Sequence, residues 1–175
     1  MNRLYFYPFF LIFLLVLSSK PVYADSSYVL PYPSSMPGSS LYKPRLLLEK
    51  ISEYWYFGSF GKFKYNLEQA DKYLVEAKTL FEYGQYLLAY NALKKSDGYF
   101  TKTLTSLGKA KAEGKDINQN RGILSQAAGK HIEILGEIEK IVPDEFNWQP
   151  EKSESTLLNL KSAIDTSVSV RKKYQ

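Results

Sequence analysis

Phe60-Gly61-Lys62-Phe63-Lys64-Tyr65-Asn66-Leu67-Glu68-Gln69-Ala70-Asp71-Lys72-Tyr73-Leu74-Val75-Glu76-Ala77-Lys78-Thr79-Leu80-Phe81-Glu82-Tyr83-Gly84 is the stretch that decides the fold. Phe60, Phe63, Leu67, Ala70, Leu74, Ala77 and Phe81 recur in steps of three and four, which is one face of an α-helix. Gly84 marks its end. The same period extends on both sides, and no proline interrupts it between Arg45 and Val142. A first, short helix starts with Pro44 in its first turn, runs through Leu47, Leu48, Ile51 and Trp55, and stops at Gly58. A third begins at Gln85 and carries Tyr86, Ala89, Leu93, Phe100, Leu104 and Leu107. A fourth spans Asn120 to Val142 with Leu124, Ala128, His131, Leu135 and Ile138 on one face, and Pro143 closes it. Beyond a loop with Phe146 and Trp148, a last helix opens near Ser153 with Leu157, Leu160, Ile164 and Val168 inward. Strand-like alternation is absent. The expectation is an all-α antiparallel bundle of about five helices, one short and four longer, over residues 45–175.

The N-terminal side reads differently. Asn2-Arg3 begin a polar, basic start, Leu4 to Leu17 are almost unbroken apolar, and Val22-Tyr23-Ala24 offers the small residues of a cleavage site. This is the three-part layout of a secretory signal peptide over residues 1–24, with cleavage expected after Ala24. The alternative is an uncleaved signal that anchors the protein. An apolar run of about 14 residues is short for a span, which needs about 20. No second run of that kind follows, so no membrane span is expected after signal removal.

Losing residues 1–24 removes Arg3 and Lys20 and no acid, so the 23 basic residues fall by two to 21 against 18 acidic, a net charge of +3. That is too mild and too scattered for nucleic acid. There is no cysteine, so stability must come without disulfides, and about 150 residues can bury enough apolar surface to allow that.

Residues 25–44 hold Pro31, Pro33, Pro37 and Pro44 among serines and tyrosines, so they are expected to be extended. The preset φ of proline lowers the entropy lost on docking. Leu30, Tyr32, Leu41 and Tyr42 are therefore expected to pack over the bundle as a strap.

Two resemblances arise. Gly84-Gln85-Tyr86-Leu87-Leu88-Ala89, with Ala77, Leu80 and Leu93 around it, resembles the inter-helix turn of a tetratricopeptide repeat, but there is no second copy at the required period. More widely, Leu30-Pro31-Tyr32-Pro33-Ser34-Ser35-Met36-Pro37-Gly38-Ser39-Ser40-Leu41-Tyr42, followed by Leu46, Leu48 and Glu49-Lys50-Ile51, resembles the opening of a bacterial exported domain family of unknown function. Its pattern is Leu-Pro-Tyr-Pro-Gly-x-Leu-Pro-Asp-Ser-Pro-Leu-Tyr and then an amphipathic helix. Ala70-Asp71-Lys72-Tyr73-Leu74-Val75-Glu76-Ala77 is similar to that family's next helix. Ser34, Gly38, Ser40 and Pro44-Arg45 depart from the pattern. The resemblance covers about residues 28–110 and implies fold and address, with no activity.

Chemistry is poorly supported. With His131 the sole histidine and no cysteine, there is no cysteine nucleophile and no multi-histidine zinc site. His131 lies on an apolar helix face, where a core residue satisfied by a neighbouring hydroxyl or carboxylate is expected. Glu68, Asp71, Glu133 and Glu137 read as outward-facing acids. A di-iron centre wants Glu-x-x-His, and position 128 is alanine. No catalytic residue, cofactor or metal is expected. Tyrosines crowd the first three helices, and Tyr54, Trp55, Tyr56, Phe57 and Phe60 form an aromatic turn that a bundle alone hardly requires. The functional expectation is an exported, non-enzymatic module that uses this surface to bind an envelope protein or cell-surface component. The alternatives are a structural or chaperone-like envelope protein and, third, an enzyme with an unrecognised site.

Overall fold

A computed structural model describes residues 28–33, 35–152 and 154–175; the expected signal peptide lies outside them. The described residues form five α-helices and a two-stranded antiparallel sheet. Helix α1 is Tyr42–Ser52 and runs into a single 3₁₀ turn, Glu53–Trp55. The long helices are α2 (Gly58–Glu82), α3 (Tyr86–Ala112) and α4 (Asn118–Glu139). Strands β1 (Glu145–Trp148) and β2 (Thr156–Asn159) precede α5 (Leu160–Lys172). None of these helices is long and apolar enough to cross a membrane.

Helices α2 and α3 are joined by a three-residue turn in which Gly84 adopts φ +69°. Its N–H bonds Phe81 O at 3.0 Å and the Gln85 N–H bonds Leu80 O at 2.9 Å, the paired closure of a Schellman end. The chain therefore reverses and the two helices pack along their length.

The core divides into two apolar clusters. One holds Leu74, Leu80, Phe81, Leu93, Leu135 and Ile164 among others; the second holds Phe63, Leu67, Phe100, Leu107 and Leu124 with small alanines. Along α2 the chain passes from the second cluster to the first, along α3 back again, and α4 repeats the direction of α2. The order of buried residues thus makes the helices run up and down. The expected inward face of α2 is buried as read, with Phe60 half-buried. On α3 the expected Leu104 is exposed, and Thr103 and Ala110 fill the interior instead.

Two differences from the sequence reading matter. The last helix opens at Leu160 rather than near Ser153, because a hairpin intervenes. Phe146 pairs with Leu158 in register, and these two with Trp148 face the first cluster. Alternation then turns Leu157 outward, where it is exposed. Asp144 O caps α5 by accepting from Leu160 N and Lys161 N at 2.9 and 3.1 Å, and the Asn159 side chain accepts from Ser162 N.

The strap also differs. Helix α1 begins at Tyr42, inside the stretch expected to be extended. Leu30 packs against the first cluster and Tyr28 against the second. Tyr42 is half-buried and donates to Glu76 Oε1 at 3.3 Å. Tyr32 and Leu41, however, stand 95% and 63% exposed. The strap thus docks through Tyr28, Leu30 and Met36, while Tyr32 and Leu41 stand in solvent.

Candidate functional site

Between the two apolar clusters lies a polar layer. His131, Ser96, Ser167 and Arg171 are fully buried within it, and Asp71 nearly so. Arg171 Nε donates to His131 Nδ1 at 3.0 Å, which makes Nδ1 an acceptor; Nε2–H then donates to Asp71 Oδ1 at 2.7 Å. Arg171 Nη1 reaches Asp97 Oδ1 at 2.5 Å and Ser167 O at 3.0 Å, and Nη2 reaches Ser96 Oγ at 2.8 Å. Ser167 Oγ donates to Asp97 Oδ2, and Ser96 Oγ to Ala70 O. From the strap, the Tyr28 hydroxyl donates to Asp71 Oδ2 at 2.5 Å.

Every buried charge in the layer therefore meets an opposite charge or a hydrogen-bond partner, the condition under which burial is tolerated. Burial holds the His131 imidazole below its usual range, with the Arg171 charge acting the same way and the Asp71 hydrogen bond opposing it. Both ring nitrogens are occupied, and the ring has no exposed surface. The carboxylate partner expected for His131 is present, but it is Asp71, which points inward rather than outward. Among the described residues no group of three or more His, Cys, Asp or Glu side chains is arranged to hold a metal ion.

The surface of α1 is organised the other way round from expectation. Its charged side faces the bundle. Arg45 Nη2 pairs with Glu76 Oε2 at 2.6 Å, Nη1 donates to Ser35 O at 2.6 Å, and Nε lies 3.0 Å from Glu49 Oε1. Glu49 is buried, pairs with Lys72, and accepts from the Tyr73 hydroxyl at 2.9 Å. Leu47, Leu48 and Ile51, read as inward, therefore face out. Neither apolar cluster contains an α1 residue. An amphipathic stripe defines an axis but not which side is inward; here Glu76, Lys72 and the tyrosines of α2 attract the polar side.

The five residues of the expected aromatic surface separate. Trp55 and Phe57 are 71% and 82% exposed, and Tyr54 also stands in solvent. Tyr56 is half-buried, its ring 5.4 Å from Tyr65 and its hydroxyl 2.5 Å from Glu68 Oε2. Its backbone lies so close to Gly61 that a Cβ there would stand 2.8 Å from Tyr56 C. Phe60 packs against the second core cluster, under Lys115. The structure thus places Leu47, Leu48, Ile51, Tyr54, Trp55 and Phe57 together at one outer edge. The aliphatic half of this face was missed by sequence reasoning; the available signal was Arg45 and Glu49 at i,i+4 opposite it.

Beside this edge an open cleft of about 550 Å³ lies between the 3₁₀ turn, α2 and α3, with Glu53, Lys62, Tyr99 and Lys102 among its walls. Tyr99 stacks on Tyr73 at 5.7 Å with the rings nearly parallel, and meets Tyr65 edge-on at 6.1 Å. The excess of tyrosine is thus partly spent on a packed ladder whose hydroxyls serve α1: Tyr65 donates to Glu49 O and Tyr73 to its carboxylate.

The family model described as "Domain of unknown function (DUF5667)" matches residues 34–145. The chain belongs to this family. No curated protein and no solved structure matches it. The DUF5667 match begins just before α1 and ends on the first residue of β1. It contains Asp71, Asp97 and His131, while Arg171, which ties them together, comes from α5 beyond it. The outward face of α1 lies wholly within the match.

Proposed function

We propose that this DUF5667 protein is an exported, non-enzymatic helical-bundle module that binds a partner in the cell envelope through the outer face of α1 and the turn after it. The observation that carries the reading is the inverted packing of α1. Its polar side is engaged with Glu76, Lys72 and Tyr73, and six large apolar side chains stand in solvent. Contiguous exposed apolar surface of this kind marks an interaction site rather than ordinary surface wear. Tyr and Trp are favoured anchors at such sites. The export half rests on the signal-peptide layout of residues 1–24.

The test is capture from an envelope fraction with the intact chain and with a Trp55→Ser/Phe57→Ser variant of unchanged melting temperature. A discrete partner lost in the variant supports the reading. A spread of unfolded clients moves the function to a chaperone-like role. Equal capture by both chains removes the site. N-terminal sequencing of exported material is expected to begin at Asp25; a start at Met1 in membranes makes the protein an anchored one.

A further inference from the structure

The outer face of α1 carries a charge pattern as well as an apolar one. The negative groups of the segment are compensated within the fold: Glu49 by Arg45 and Lys72, and Glu53 by Lys62 at 3.3 Å. Lys43 and Lys50, both exposed, pair with no acid among the described residues. At 100° per residue they lie together on one flank of the arc that holds Pro44, Leu47, Leu48 and Ile51. The rim of the apolar face is therefore positive, and its C-terminal end gathers Tyr54, Trp55 and Phe57.

A helix whose solvent side combines Leu, Ile, Trp and Phe with flanking lysines is built to lie in the plane of a lipid interface. Aromatic rings with one polar edge settle at headgroup level. The face belongs to a single helix whose polar side is already engaged from behind, and its lysine flank borders a groove walled by Tyr73, Lys95 and Tyr99. Such a face fits a deformable layer without needing a matching groove.

We propose that α1 and the turn after it dock in-plane on an anionic phospholipid surface. Leu47, Leu48, Ile51, Trp55 and Phe57 enter the boundary with the acyl chains, and Lys43 and Lys50 meet the headgroups. The inference rests on the partner-binding reading above and names the partner's chemistry.

The test must separate this face from the apolar run at Leu4–Leu17, which can associate with lipid by itself. The first 27 residues contain no tryptophan, so Trp55 reports on α1 alone once Trp148 is replaced by Phe. The wild-type chain is measured in parallel, since Trp148 packs against the core and supplies a steady background. With phosphatidylglycerol vesicles, Trp55 emission is expected to shift to the blue and to be quenched by bromine on the acyl chains, more weakly with phosphatidylcholine. Each lysine near an anionic surface contributes about fivefold in affinity, so Lys43→Glu/Lys50→Glu is expected to lower partition at least about tenfold. Trp55 emission unchanged on both vesicles overturns the proposal, and an equal response on both overturns the anionic assignment. A Trp55 shift given only by delipidated envelope protein overturns the lipid proposal and leaves the partner-binding reading standing. No shift with either overturns both.

Discussion

Arg171, three-quarters of a chain away from the strap, donates its Nε–H to Nδ1 of His131 at 3.0 Å and so decides which tautomer the imidazole adopts. Because Nδ1 accepts, Nε2 must carry the proton that bonds Asp71. One contact between α5 and α4 thereby sets the hydrogen bond between α4 and α2. Asp97 brings in α3 through the same guanidinium. Four helices are registered against one another by this polar layer, with an apolar cluster on either side of it.

The layer reverses what the apolar face around His131 implies for its replacement. A leucine on such a face would be expected to be neutral or stabilising. Here His131→Leu leaves Asp71 and Arg171 each short of a partner in the dry interior. A loss of about 2–4 kcal/mol is expected in urea unfolding. His131→Gln, which can still donate to Asp71, is expected to cost less. A Leu variant within about 0.5 kcal/mol of the parent would show that the layer is not closed as described.

The same residue makes stability depend on pH. In the unfolded chain His131 titrates near 6.5; in the fold, burial holds it lower. Between the two values the unfolded chain binds a proton that the folded chain does not. The contribution is complete above about 6.5 and is lost as pH falls through the lowered value, with a slope of at most about 1.4 kcal/mol per pH unit. Asp71 and Arg171 face the ring, so the contribution of the imidazole is read as the difference between parent and His131→Gln unfolding curves. A flat difference below pH 6.5 would contradict the buried neutral imidazole.

The bundle was legible in the sequence because Phe60 to Phe81 repeat without a break, and a stripe of seven apolar residues has one physical solution. Asp71 was misread because its charge argued for solvent, although it adjoins Ala70 on the inward arc. Its burial depends on Arg171 and His131, 100 and 60 residues away, which no local pattern reveals. The hairpin was hidden for a different reason. Four-residue strands give too little alternation, and Leu157, Leu160 and Ile164 also satisfy a helical spacing. The candidate site was half legible: aromatic crowding at Tyr54–Phe57 stood out, but the direction of α1 is set by partners on α2.

Helix α1 contributes no residue to either apolar cluster and is tied to α2 by ion pairs and hydrogen bonds, so it is expected to detach before the bundle unfolds. Glu49→Met removes the acceptor shared by Lys72 and Tyr73 and the ion pair with Arg45. Trypsin is expected to cut at Arg45 and Lys50 several-fold faster in this variant, while the main melting transition moves by only a few degrees. A large, cooperative drop in melting temperature would place α1 in the folding core instead.

The hairpin separates two adjacent leucines. Leu158 is buried against the first cluster and Leu157 is exposed. Leu158→Ala is expected to cost about 2–4 kcal/mol through lost burial and a residual cavity. Leu157→Ala is expected to stay within about 0.5 kcal/mol. Equal losses would restore the continuous helix from Ser153 that the spacing suggests.

Tyr28 tests whether the strap belongs to the folded unit. Its ring packs against the second cluster, and its hydroxyl donates to the Asp71 carboxylate that His131 also uses. Burial raises the phenol above its ordinary range, and the Asp71 charge adds to the rise, so the hydroxyl remains a donor at neutral and mildly alkaline pH. Tyr28→Phe keeps the ring and removes one charge-assisted bond to a buried carboxylate, an expected loss of about 1–2 kcal/mol. Tyr32→Ala, four residues on but standing in solvent, is expected to change nothing measurable. Because Tyr28 and His131 share Asp71, their effects are also expected to couple. In a double-mutant cycle with His131→Gln, the sum of the single losses should differ from the double loss by at least about 0.5 kcal/mol. Strict additivity, or a Tyr28→Phe variant as stable as the parent, would mean that the strap merely lies beside the bundle, and that Asp71 is satisfied by His131 alone.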